Sequence, residues 1–136
     1  MGIVRTSITL KNAKDIYMSE AGILNEHEIR QTTIDAMVDT GAWTLVVNEK
    51  IRDKLGLLKT RTDTGTLADG KLSIYDIVGP LIVEWKNRST LCEALLLPDA
   101  EEVLLGAIPL EAMDLTINPR NEEVVGAHGD RVVHSI

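Results

Sequence analysis

Apolar and polar residues alternate with a period of two over most of this chain, the signature of half-buried strands. Val4, Thr6, Ile8 and Leu10 alternate with Arg5, Ser7, Thr9 and Lys11, which predicts a first strand over residues 3–11. Residues 12–27 are polar and break the period, and read as a long irregular loop. Strand character resumes from Ile29 to Val38, and a further strand is expected over Thr44–Val47. Asn48 is placed to cap a short helix that runs through Leu55, with Gly56 as its stop. Leu57–Leu67 and Leu72–Val78 flank Ala68-Asp69-Gly70, a hairpin signal. Gly79-Pro80 punctuates, and a second hairpin, Leu81–Trp85 with Thr90–Leu97, turns at Lys86-Asn87-Arg88-Ser89. After a loop at Pro98–Glu102, Val103-Leu104-Leu105-Gly106 is a short apolar strand that ends in glycine, and Ile108–Met113 reads as a second short helix. Leu115–Ile117 and Glu122–Val125 form a last hairpin, leaving a tail at 126–136 in which Arg131–His134 is a candidate strand. The pattern predicts an all-β domain with one or two short helices.

Composition narrows the classes. A chain of 136 residues suits one domain with a core of its own. With two Trp, two Tyr and no Phe, that core must be aliphatic. A formal net charge of −7 argues against a phosphate-binding surface, hence against nucleic acid and anionic membrane partners. No apolar run approaches the roughly 18 residues of a membrane span. Cys92 is the only cysteine, which leaves no internal disulfide and points to a reducing, cytoplasmic compartment. Cys92, Ala94 and Leu96 share a face, so the thiol reads as a buried small residue. His27, His128 and His134 lack metal-ligand spacing and read as surface residues, so no metal is expected.

The candidate chemistry sits in Met37-Val38-Asp39-Thr40-Gly41-Ala42. Asp-Thr-Gly alone is ordinary turn chemistry. Here an apolar run leads into it and another follows Ala42, so a carboxylate is held on a tight loop between two core strands. Burying an ionised carboxylate is costly unless it is paired or hydrogen-bonded. A second apolar-glycine element, Leu104-Leu105-Gly106, follows later and precedes the Ile108–Met113 helix.

These two elements, in this order and with a hairpin between them, resemble the retropepsin-like aspartic proteases. The likeness spans roughly residues 3–125 and is greatest to small stand-alone bacterial members, on the Leu-Ala-Asp-Gly hairpin (Leu67–Gly70) and the run Leu104–Glu111. The resemblance implies an acid-protease barrel, a two-fold homodimer, and hydrolysis of peptide bonds without metal or organic cofactor. It implies that Asp39 is catalytic, that Thr40 grips the partner loop, and that Gly41 and Ala42 complete the loop. It also implies that Leu67, Ala68, Asp69 and Gly70 form the tip of a flap over a peptide or protein substrate. Terminal strands often interleave at the dimer base of such enzymes, a role open to the 126–136 tail.

Chemical reasoning supports a dimer independently. Hydrolysis by water needs a base and an acid, and two carboxylates sharing one proton supply both. This chain offers one, so a second copy must bring the other. Asp63-Thr64-Gly65 does not serve: 24 residues after Asp39 there is no room for a second lobe, and its flank is polar. It reads as an exposed strand or turn near the flap. Trp43, Tyr75 and Trp85 read mainly as packing residues, with Trp43 the best placed to influence the site. Asp35 is given no direct role. The alternative to an enzyme is a non-catalytic dimeric peptide-binding module on the same scaffold.

Overall fold

A computed structural model describes residues 2–67 and 69–136. The chain is mainly β: β1 (Arg5–Asn12), β2 (Gln31–Val38), β3 (Leu45–Val47), β4 (Leu58–Thr66), β5 (Leu72–Trp85), β6 (Arg88–Leu96), β7 (Leu104–Leu105), β8 (Leu115–Asn118) and β9 (Glu123–Gly126). Three short helices join them: α1 (Ala13–Glu20), α2 (Glu49–Leu55) and α3 (Ala107–Ala112). Seven strands make one sheet in the order β1-β2-β7-β3-β6-β5-β4, and β1 also pairs with β5 through Thr9–Asn12. β8 and β9 form a separate antiparallel pair. No helix among the described residues is long and apolar enough to cross a membrane.

The alternating pattern explains β1, where Ile8 and Leu10, with Val4 just before the strand, are buried while Arg5 and Ser7 are exposed. Its hydrophobic face joins an aliphatic core with Leu45, Val47, Leu55, Leu81, Val83, Leu105 and Met113. The α2 helix forms as its caps direct: Asn48 accepts a hydrogen bond from the Ile51 amide at 2.9 Å, and Gly56 takes the left-handed conformation at φ 62°. Ile51 and Leu55, four apart, face inward.

β3, β6 and β7 depart from simple alternation because both of their faces are covered. Leu45, Val47, Ala94, Leu96 and Leu105 point into the main core. Their neighbours Val46, Leu95 and Leu104 point the other way, with Ile77 and Tyr75 of β5, into a second small cluster. That cluster is the floor on which the site described below is built.

Three sequence expectations need correction. The first concerns residues 12–27, which hold α1 and a 3-10 turn at Glu26–Glu28 rather than an irregular loop. The side chain of Asn12 caps α1 by accepting from the Asp15 amide at 3.1 Å, and its Nδ2 donates to Leu55 O at 2.8 Å. The buried Asp15 carboxylate accepts from Arg30 three times, from its backbone amide at 3.0 Å, Nε at 2.8 Å and Nη2 at 3.0 Å. The Asn12 amide also donates to Arg30 O at 2.9 Å, so the excursion is the closed loop of the β1–β2 hairpin.

The Arg30 guanidinium holds the Asp15 carboxyl below its ordinary value, against the opposing effect of burial. A depressed folded value means the stabilisation is present above the unfolded value, about 3.9, and is lost as pH falls through the lower folded one. Asp15→Ala should therefore cost about 1.5–3 kcal/mol near neutrality. The gap to wild type, read from denaturant unfolding, should close as the pH drops below the ordinary aspartate range.

The second correction is at Gly79-Pro80, which does not end a strand. β5 runs through it to Trp85, and the ladder to β6 skips from Val78 to Leu81 in a bulge, which accommodates a proline that has no amide to donate. Third, residues 131–134 form no strand; the tail makes one isolated bridge, His128 with Arg131. It is tied back onto Asp114, just before β8, instead. Asp114 accepts from the Val133 amide at 3.0 Å and lies 2.7 Å from His128 Nδ1. The buried Arg88 guanidinium donates to the carbonyls of Met113, Asp114 and Gly129.

Candidate functional site

Asp39 leaves the end of β2 at the point where β7 inserts beside it. The two strands run parallel, with Met37 opposite Leu104 and Val38 opposite Leu105, and β7 pairs antiparallel with β3 through Val46 and Leu104. The apolar pair before each motif thus buries a central junction. The Asp39 amide donates to Leu105 O at 3.0 Å, tying the first motif to the second.

The loop then closes on itself. Asp39 Oδ1 accepts from the Gly41 amide at 2.9 Å, and Asp39 O accepts from the Ala42 amide at 3.1 Å. The half-buried carboxylate is therefore oriented by backbone rather than by a cation. The next two carbonyls satisfy the start of α3: Ala107 N donates to Ala42 O at 2.8 Å and Ile108 N donates to Trp43 O at 2.9 Å. The first amides of a helix have no partners within it. Gly106, which caps α3 without a side chain, leaves those amides to the loop. Thr44 is buried and donates its hydroxyl to Glu93 O at 3.2 Å, which fixes the loop to β6. Thr40 is exposed, and its hydroxyl makes no hydrogen bond among the described residues.

Asp39 opens onto a cleft of about 740 Å³ between this loop and the β4–β5 hairpin. The lining is mostly apolar, from Val46, Leu95, Leu97 and Leu104 below to Leu67 and Leu72 above. Among the described residues that line it, Asp39 is the one charged side chain. The hairpin turn is built as expected: the Gly70 amide donates to Leu67 O at 2.8 Å, Asp69 Oδ1 accepts from the Lys71 amide at 2.9 Å, and Gly70 takes φ 79°. Ala68 lies outside the described residues. Asp69 is exposed at the tip and is not among the residues that line the cleft.

Other candidates fall away from the site. Asp63 is exposed on β4, where the Arg61 guanidinium at 2.9 Å and the Thr64 amide hold its carboxyl below the usual range. Asp35 is exposed on β2 opposite Ser7. Burial pushes the Cys92 thiol up to about 12, which leaves it un-ionised and inert near neutrality.

The aromatic residues divide in a way that periodicity did not predict. Trp85 is a core residue whose Nε1 donates to Thr6 Oγ1 at 2.8 Å. Trp43 and Tyr75 line the cleft instead, together with Gly65 of the second Asp-Thr-Gly. A glycine inside a strand marks a close approach, and that was the available signal for Gly65. No protein-family model matches this chain, and no curated protein matches it.

Proposed function

We propose that this chain is a retropepsin-like aspartic endopeptidase that works as a two-fold homodimer. The observation that carries the reading is a single backbone-oriented carboxylate, Asp39, at the floor of an apolar cleft covered by a hairpin. A cleft of that shape suits an extended peptide, held by main-chain hydrogen bonds with its side chains in apolar pockets. The pairing of β1 with both β2 and β5 supports a sheet closed into a barrel.

One carboxylate cannot serve as acid and base at once. In the dimer, Asp39 and the partner's Asp39 face each other and share one proton, because two like charges in contact cannot both ionise. The ionised one takes a proton from a water molecule as its oxygen bonds to the peptide carbonyl carbon. The protonated one gives its proton to the carbonyl oxygen, forming a tetrahedral diol. That diol collapses as one of its hydroxyls returns a proton to the second carboxylate, the C–N bond breaks, and the nitrogen receives a proton from the first carboxyl. The exposed Thr40 hydroxyl is free to bond across the two-fold axis, and the hairpin excludes water from the closed site. No cofactor takes part.

Incubation of the purified chain with denatured protein at pH 4–8, with sedimentation under the same conditions, tests the reading. Cleavage by a dimer supports it. A dimer that binds peptides without cutting them replaces it with the peptide-binding module, and a chain that stays monomeric overturns the two-copy site.

Ala42 sets a finer expectation. A serine hydroxyl at this position would donate to the Asp39 carboxylate and favour its ionised form. The acid limb of the pH–rate profile should therefore move to lower pH in Ala42→Ser. An unmoved limb would show that position 42 does not reach the carboxylate.

A further inference from the structure

The second Asp-Thr-Gly takes no part in the chemistry above, yet its glycine is the one buried residue of β4. Gly65 is not at positive φ, so backbone freedom is not the reason for it. Proximity is. A β-carbon at position 65 would lie 3.3 Å from Trp43 Cζ3 and 3.4 Å from both Cδ2 and Cε2 of Tyr75. Two rings therefore converge on the bare side of this glycine.

The rings belong to different parts of the site. Trp43 follows the Asp39 loop, and its carbonyl is held by the Ile108 amide, so its backbone is fixed by α3. Tyr75 stands on β5 opposite Asp63 and packs on the Val46, Ile77 and Leu95 cluster. Trp43 is 41% exposed although it sits between the loop and the hairpin. Elsewhere the hairpin is lightly held. β4 is an edge strand, and its other side-chain ties are near the root: Thr60 and Arg61 to Glu93 at 2.7 and 3.2 Å, and Lys59 to Asp76 at 3.5 Å. Exposed ion pairs of that kind contribute little. Aromatic contact at Gly65 is the stronger tie.

We infer that Trp43 is a positioning residue, the seat on which the β4–β5 hairpin rests, with Gly65 as the notch that admits the ring. The hairpin is thereby referenced to the Asp39 loop of its own chain. Lifting it separates Gly65 from the indole, uncovers the cleft and exposes Trp43 further. The kinetic consequence rests on the proteolytic reading, whereas the structural one does not.

Amide hydrogen exchange, followed by mass spectrometry on wild type, Trp43→Ala, Trp43→Phe and Gly65→Val, tests both. Valine favours extended backbone, so Gly65→Val keeps β4 a strand while blocking the seat. Exchange across the β4–β5 ladder should quicken about threefold to tenfold in Trp43→Ala and Gly65→Val, the range an aromatic contact supplies. The β8–β9 ladder should not change, and Trp43→Phe should restore most of the protection. Trp43 emission should shift to longer wavelength in Gly65→Val. On denatured protein, KM should rise in the same two variants with kcat nearly constant. Hairpin exchange that stays at the wild-type rate in Trp43→Ala, or that quickens equally in both ladders, overturns the inference. A wild type that cuts nothing while the exchange pattern holds leaves the seat standing and removes the protease.

Discussion

Asp39→Asn should lower hydrolysis of denatured protein by about 10²–10⁴-fold, the span expected for loss of a positioned acid–base group. It should do so without disturbing the fold. The amide oxygen of asparagine still accepts the Gly41 amide that Asp39 Oδ1 accepts at 2.9 Å, and the Asp39 backbone bond to Leu105 O is untouched. Thermal unfolding of the variant should match wild type within a few degrees. Full activity in Asp39→Asn would remove the carboxylate from the mechanism.

Mixing the two proteins carries this further, because the site is proposed to need two copies. An exchanged pair of wild type and Asp39→Asn has one carboxylate and should be inactive. At fixed wild-type concentration, random pairing with a ninefold excess of the variant should leave about one tenth of the activity. A chain active as a monomer would show no decline. The dilution is thus a test of stoichiometry that uses no structural probe and no knowledge of the natural substrate.

Much of this site could be read from the residues before any coordinates. The loop Asp39–Ala42 and the element Leu104–Gly106 stand out because each combines an apolar pair with a glycine, and the structure joins them through the Asp39 amide and Leu105 O. Local chemistry was equally legible in α2, where Asn48 and Gly56 mark both ends. What escaped was tertiary. Residues 12–27 look like a loop because α1 has almost no apolar face; it is held by the Asn12 cap and by the buried Asp15 with Arg30, fifteen residues away. Gly65 looks like a surface strand residue and Tyr75 like a packing residue because what makes them part of the cleft is Trp43, which lies more than twenty positions from either. Periodicity records which face is covered, not what covers it.

Gly106→Ala should be strongly damaging for so conservative a substitution. Gly106 has φ −90° and ψ −173°, a conformation open to alanine, so the cost is steric alone. A β-carbon there would run into the carbonyl oxygen of Thr44 and lie 2.6 Å from that of Ala42. These are backbone atoms of the Asp39 loop, and no rotamer change moves them aside. Ala42 O is also the acceptor for Ala107 N, so the loop cannot lift without stripping the first turn of α3. Overpacking of this kind costs about 3 kcal/mol or more when nothing flexible can yield. For a domain of this size that is about 10 °C in Tm. Gly41→Ala is the contrast, since its β-carbon meets only Asp39 Oδ1, at 3.2 Å. It should leave Tm nearly unchanged while reducing hydrolysis, because the carboxylate it crowds is the group proposed to react. A Gly106→Ala protein that melts within a degree or two of wild type would mean that the loop is not clasped over α3 as described, and the orientation of Asp39 would then need another cause.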